Sequence, residues 1–187
     1  NRIVVSFDAP VTASQAALSL RNSAGDAIEA TAVTQLDATS WEWSLPANLT
    51  ADKYLIVLAA AGVTLSDGTL LDGEWQTEVS TWGNGGDGIA GGDMLFQFHV
   101  LPGDTSLNGN VTGLDSTRIR IVIGQPVDAT NWRNDLNGSN SLTGFDNTRT
   151  RLAVGTNIGS FPDPGPLSGG VIAAARTESN DLARTTT

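Results

Sequence analysis

Asp104-Thr105-Ser106-Leu107-Asn108-Gly109-Asn110-Val111-Thr112-Gly113-Leu114-Asp115 returns, shifted by 31 residues, as Asp135-Leu136-Asn137-Gly138-Ser139-Asn140-Ser141-Leu142-Thr143-Gly144-Phe145-Asp146. The shift superposes Asp104 on Asp135, Thr112 on Thr143, Gly113 on Gly144 and Asp115 on Asp146. It continues with Thr117 on Thr148, Arg118 on Arg149, Arg120 on Arg151 and Gly124 on Gly155. Self-similarity at a fixed period means a duplicated supersecondary unit. Within each twelve-residue stretch, oxygen-bearing side chains fall at positions one, three, five, nine and twelve. A chain that must wrap tightly around a hard cation supplies oxygens at such intervals, because calcium takes six to eight of them in a flexible shell. Gly109 at position six tolerates the sharp turn, and Asn140 in the second copy is the next residue most tolerant of a left-handed backbone.

The expected metal ligands are Asp104, Ser106, Asn108, Asn110 (by its backbone carbonyl), Thr112 and Asp115 in the first loop. Their counterparts are Asp135, Asn137, Ser139, Ser141, Thr143 and Asp146. The spacing is that of an EF-hand-like calcium loop. Val111 and Leu142, at position eight, are expected to point inward and pair across a short bridge. A short helix is expected after each loop, over 116–123 and 147–154, with Ile119, Val122 and Ile123 on one face of the first. Ala153 and Val154 do the same in the second, with Thr150 as the weak member. Gly124 and Gly155 stand where a helix C-terminus favours a left-handed residue.

Two loop–helix units with Asp at position twelve, and no helix before the first loop, resemble the dockerin domain, type I-like, over residues 103 to about 158. The resemblance implies a calcium-dependent module that docks onto a cohesin domain and is usually fused to secreted polysaccharide-degrading enzymes or cell-surface proteins. It implies partner contacts at Gly113, Leu114, Arg120 and Ile121, repeated at Gly144, Phe145, Arg151 and Leu152, so that either copy could bind after a half-turn. The alternative for the arginines is a solvated helix face that balances the acidic loops. Each loop offers two carboxylates, fewer than acid-rich loops carry. Calcium affinity is therefore expected in the extracellular-module range of roughly 10⁻⁴ to 10⁻³ M, with the first loop the better one.

Residues 1–101 read differently. Ile3-Val4-Val5-Ser6-Phe7 is strand-like and ends at Asp8-Ala9-Pro10. Residues 17–20 and 27–35 follow, separated by an Asn-Ser-Ala-Gly-Asp turn. Trp41-Glu42-Trp43-Ser44-Leu45 alternates apolar and polar, the period of a half-buried strand. Residues 54–61 are a continuous apolar run, and residues 94–100 make a last strand. Short strands punctuated by turn residues predict an antiparallel sandwich, with Trp41 and Trp43 in its core; the alternative for the pair is a carbohydrate platform on an unburied sheet face. Phe7 to Val11, Leu49 to Leu58 and Val63 to Gly68 resemble the bacterial Ig-like domains of secreted and surface proteins. The fold expected is thus mixed: an all-β Ig-like sandwich (1–101), a small α module with two calcium loops (102–162), and a Pro/Gly-rich and polar tail (163–187) with a possible short helix at 171–176. Pro102 and Phe161 are candidates to clasp the ends of the module.

Composition narrows the function. The chain has 187 residues, 40% hydrophobic and 16% charged, with a formal net charge of -10. An acidic surface repels phosphate backbones, which disfavours nucleic acid and anionic membranes. No apolar run reaches the length of a membrane span. Cys is absent, so thiol catalysis, disulfides and Cys-ligated zinc are excluded. Asp outnumbers Glu by 15 to 5, a bias that suits turns and oxygen-ligated cations. His99 stands alone on a strand beside Phe98, without a nucleophile motif, and is read as structural. The Gly/Asp-rich loop 66–93 contains Trp75 and Trp82. Its Asp67, Asp72, Asp87 and Asp93 could form a third calcium site, although turn formation is the favoured role. The chain begins at Asn1 and is read as a piece of a longer protein. The function expected is non-catalytic attachment, extracellular or at the cell surface. The alternatives are a calcium-rigidified stalk, or an accessory C-terminal region of a polysaccharide-degrading enzyme.

Overall fold

The computed structural model describes residues 1–74 and 86–164. Nine strands come first: β1 (Arg2–Ser6), β2 (Val11–Ala13), β3 (Leu18–Asn22), β4 (Ala27–Glu29), β5 (Ala32–Gln35), β6 (Ser40–Ser44), β7 (Asp52–Leu58), β8 (Val63–Leu65) and β9 (Met94–Val100). Two helices follow, α1 (Gly113–Val122) and α2 (Gly144–Ala153). The chain is therefore β-rich at its N-terminal end, with a small helical part after it.

The strands form three antiparallel sheets, ordered β1-β6-β5, β2-β8 and β4-β3-β7-β9. Their inner faces share one core. Trp41 and Trp43 of β6, Leu18 and Leu20 of β3, and Tyr54, Ile56 and Leu58 of β7 are all buried in it. The period of two in β6 puts both indoles on the inner face, as expected. Each indole N–H reaches a backbone carbonyl, Trp41 to Val11 and Trp43 to Ser14, both at 3.2 Å. Burial of the two rings thus strands no donor.

Three local departures have clear causes. The run 27–35, read as one alternating stretch, is two strands in different sheets: β4 pairs with β3, whereas β5 pairs with β6. Buried Ala30 and the Thr31 amide, bonded to the Ser44 carbonyl, mark the crossing. Residues 60–62 are a 3-10 turn rather than the end of β7. There a Cβ on Gly62 would stand 2.5 Å from the Ala17 Cβ, so the backbone approaches too closely for any side chain. Both faces of β7 are covered, since Leu55 and Val57 are buried together with Leu95 on the face away from the main core. The apolar run of β7 reflects burial on both sides.

The helices start three residues earlier than the sequence spacing suggested. Thr112 and Thr143 are the N-caps, and each forms a reciprocal capping box with the Asp three residues on. The box satisfies amides that the first turn of a helix leaves without partners. Ile119 is fully buried, and so is Thr150 at the matching place in α2. Ile123 and Val154 were expected on the buried faces but are exposed. Each is the C-cap, with ψ near 130°, so its side chain leaves the helical face. Gly124 and Gly155 follow with φ of 85° and 97°, the left-handed terminators the sequence pointed to.

Thr150 carries a cost. Its hydroxyl is buried and has no hydrogen-bond partner, and the Cα of Thr150 packs against Gly103. A buried polar atom left without a partner costs about 1–3 kcal/mol. Thr150→Val keeps the shape and removes that atom, so it is expected to stabilise the helical part by about 1 kcal/mol. Equilibrium denaturation followed by circular dichroism would measure this, and a loss of stability would show that the hydroxyl is partnered in solution.

Candidate metal centre

In the first loop the acids at positions one and twelve converge on Ser106. The Ser106 hydroxyl donates to Asp104 Oδ1 at 3.1 Å, and its amide donates to Asp115 Oδ1 at 2.9 Å. Asp104 also accepts the amides of Asn108 (3.2 Å) and Gly109 (2.7 Å). Asp115 Oδ2 accepts the Thr112 amide at 2.8 Å and the Thr112 hydroxyl at 2.9 Å. The second loop repeats the scheme in part, with the position-two amide in place of the position-three contacts. Asp135 accepts the amides of Ser139 (3.1 Å) and Asn140 (2.8 Å). Asp146 accepts the Leu136 amide, the Thr143 amide and the Thr143 hydroxyl.

The remaining predicted ligands lie along the same turns. Asn108 Oδ1 accepts the Asn110 amide, and Asn137 Oδ1 accepts the Ser139 amide. The Ser139 hydroxyl donates to the carbonyl of Ser141. The side-chain oxygen of Asn110 accepts from Asn157 Nδ2. Thr112 and Thr143 have a second task that the spacing alone did not reveal, since their hydroxyls accept the amides of Leu114 and Phe145 at the helix starts. The signal was legible as Thr-x-x-Asp before each helix.

Each loop has two left-handed residues, not one. They fall at positions four and six: Leu107 (φ 58°) and Gly109 (φ 78°), then Gly138 (φ 67°) and Asn140 (φ 60°). Each copy thus uses one Gly and one side-chain-bearing residue, in opposite order. For Leu107, a left-handed backbone costs about 1–2 kcal/mol. The hydrogen bonds from the position-five and position-six amides to the first Asp of the loop offset that strain.

The charge balance is uneven. Asp104, Asp115 and Asp146 are buried. The ion pairs among the described residues are Arg2 with Glu42 and Lys53 with Asp163, and neither reaches a loop. Burial raises the pKa of the Asp115 carboxyl, but hydrogen bonds from Thr112 and Ser106 outweigh it and hold the group below the ordinary carboxylate value. Asp115 is therefore a buried anion without a basic partner among the described residues. Buried charges are paired or bind metals. A carboxylate has about four acceptor sites, and the hydroxyls of Ser106 and Thr112 become acceptors toward a cation when their protons rotate away. The donor set is all oxygen and suits calcium rather than zinc or copper.

The two loops are seated reciprocally. The Gly155 amide donates to the Val111 carbonyl at 2.9 Å, and the Gly124 amide donates to the Leu142 carbonyl at 2.9 Å. The isolated bridges repeat with the same 31-residue shift, Asn110 with Asn157 and Ser141 with Pro126. The expected bridge between Val111 and Leu142 is thus replaced by bridges from each loop to the segment that follows the other helix. A helix end offers free backbone groups there, whereas two position-eight residues facing each other would leave those groups unpaired. Ser116 and Asn147, equivalent by the repeat, meet across the pseudo-twofold axis at 2.6 Å. Beyond the loops, the Ile158 amide bonds to the Gly109 carbonyl. The chain then returns to the large sheet, where Lys53 Nζ donates to Asp163 Oδ1 at 2.7 Å.

The expected partner positions all lie at the surface. Leu114, Ile121, Phe145 and Leu152 are 55%, 72%, 72% and 83% exposed. Gly113, Gly144, Arg120 and Arg151 are exposed beside them, and a Cβ on either Gly would meet nothing within 4 Å.

In the Gly/Asp loop, Asp67 accepts the Thr69 amide within a local turn, and Asp93 accepts the amide of Ala60, distant in sequence. Asp72 and Asp87 instead come together with Glu74, their carboxylate oxygens within 4.8 Å. Burial, then the hydrogen bond to Asp72, raises the Glu74 pKa. Trp75 and Trp82 lie outside the described residues, as does the helix expected at 171–176. His99 is exposed on the outer side of β9. Among the described residues no helix is long and apolar enough to cross a membrane. No protein-family model matches the sequence, and no curated protein matches it.

Proposed function

We propose that residues 102–162 are a calcium-dependent, dockerin-like docking module, carried behind an Ig-like sandwich on a secreted or cell-surface protein. The reading is non-catalytic, and its partner is a cohesin-like protein domain. The observation that carries it is the burial of Asp104 and Asp115 around Ser106 with no basic side chain paired to them among the described residues. A divalent cation would supply that charge. The chain's own residues hold the position-one acids with amides, cap the helices with the position-nine and position-twelve side chains, and leave hydroxyl and carbonyl oxygens to complete a shell. The duplicated face of Leu114 with Ile121 and of Phe145 with Leu152 supports a protein partner. Exposed aliphatic and aromatic groups beside arginines are the composition of binding hot spots.

Calorimetry with calcium, followed by thermal melts with and without chelator, tests the ion. With a dissociation constant near 10⁻⁴ M, calcium at about 100 times that value is expected to stabilise the helical part by about 2.7 kcal/mol per site. No heat and an unchanged melt would remove the reading. Titration with cohesin domains from the same source then tests docking. A second reading, a calcium-rigidified stalk, is favoured by the Lys53–Asp163 ion pair that ties the end of the module back to the sheet. A stalk would bind calcium and no cohesin.

A further inference from the structure

Between α1 and the turn that joins the two units lies a groove of ≈ 270 Å³ lined by Arg118, Ile121, Val122, Gln125, Arg133 and Asn134, among others. Its far wall is held rigidly. Asn131 is buried, donates to the Pro126 carbonyl at 2.9 Å and accepts the Asp128 amide at 2.8 Å. A 3-10 turn, Trp132–Asn134, follows at once. The exposed Asp128 carboxylate accepts the Thr130 amide and hydroxyl and the Asn131 amide through Oδ1, and it forms no ion pair with either arginine of the groove. Arg133 lies over the exposed Trp132 ring at 5.2 Å, which restricts its guanidinium. Neither Arg118 nor Arg133 has a carboxylate partner among the described residues.

Two unpaired guanidiniums in one groove are notable in a chain of net charge -10. We propose that this groove receives a carboxylate-bearing edge of a protein partner: an Asp or Glu side chain on Arg118 and Arg133, with an adjoining aliphatic group against Ile121 and Val122. Charge complementarity selects the carboxylate, since guanidiniums bind planar oxyanions bidentately. The aliphatic wall and the acidic remainder of the chain select a peptide over a polyanion, which the net charge would repel at range. The groove is not duplicated. The residue equivalent to Arg133 is Pro164, and Arg149, equivalent to Arg118, donates instead to the Leu136 carbonyl. The two faces of the repeat therefore differ, and the acidic edge distinguishes the α1 face. The inference rests on the docking reading only for the protein nature of the partner.

The test is a nuclear magnetic resonance titration of the full chain, saturated with calcium, using a blocked peptide that alternates Glu and Leu. A Gln-for-Glu peptide and inorganic phosphate serve as controls. Shifts confined to α1 and residues 125–134, weakened by salt, are expected. The pair Arg118→Gln and Arg133→Gln should weaken binding roughly tenfold or more, while Arg149→Gln should leave it unchanged. Both arginines are at the surface, and the same spectra report whether the variants fold. Equal binding of the Gln peptide, equal binding of phosphate at the same residues, or an unaffected double variant would each overturn the proposal. Calcium titration of the chelator-treated chain, before peptide is added, separates the two readings. Loops that bind calcium beside a groove that ignores the peptide refute this inference alone. A groove that binds the peptide while the loops ignore calcium refutes the calcium reading alone.

Discussion

Asp115→Ala is expected to destabilise the helical part by roughly 3 kcal/mol even in chelator, before any ion is considered. The carboxylate is fully buried and holds the Ser106 amide, the Thr112 amide and the Thr112 hydroxyl. Ala removes the capping box, worth about 0.5–2 kcal/mol. It also strands buried donors at about 1–3 kcal/mol each. Asp115→Asn separates shape from charge, because an amide retains one acceptor but turns a donor toward groups that themselves donate. It should also be destabilising, though less so. Denaturation followed by circular dichroism at the helical band is the measurement, repeated with calcium to expose the additional loss of linkage. A cost below about 1 kcal/mol for Asp115→Ala would mean that the acid does not organise the loop.

Trp43→Ala is expected to cost about 3–5 kcal/mol in the β-rich part, the range for emptying a buried aromatic site. Trp43 is completely buried and contacts the core shared by the sheets. The substitution also removes the indole donor from the Ser14 carbonyl. Small domains hold only about 5–15 kcal/mol in total, so the variant should sit near the edge of unfolding. Trp43→Phe keeps most of the packing and should cost less, mainly through the unpaired carbonyl. Denaturant midpoints of the three proteins, read at strand-sensitive wavelengths, decide the matter. A Trp43→Ala midpoint close to that of the parent would place the ring outside the core.

The parts of this molecule that the sequence made legible are those governed by short-range periodicity. The alternation of Trp41-Glu42-Trp43 fixed which face of β6 is buried, and the strand over 94–100 has the same limits in the structure. The 31-residue repeat located the acids and the two helix-ending glycines. What escaped is governed by contacts distant in sequence. The division of 27–35 between two sheets depends on what β3 and β6 offer as partners. The early helix starts depend on Thr112 and Thr143, whose hydroxyls were read as ligand oxygens and which cap the helices. Leu107 gave no sign of its left-handed backbone, because its residue type disfavours that conformation and only the surrounding hydrogen bonds impose it. The groove beside α1 was invisible because Arg118 and Arg133 meet there through the turn between the units.

The reciprocal seating of the loops bears on how copies of this chain could entangle. Loop one rests on the end of α2, loop two rests on the end of α1, and the two seats are near replicas. The ten-residue connection 125–134 is the only covalent link that decides whether a seat is filled from within the same molecule. Straightening that link, so that one molecule seats a unit on another, would break the turn bonds that hold Asp128 and Asn131 to their neighbours. Exchange of identical units between copies is a low-cost route to dimers where a hinge is loose, and here the bonded turn that walls the groove opposes it.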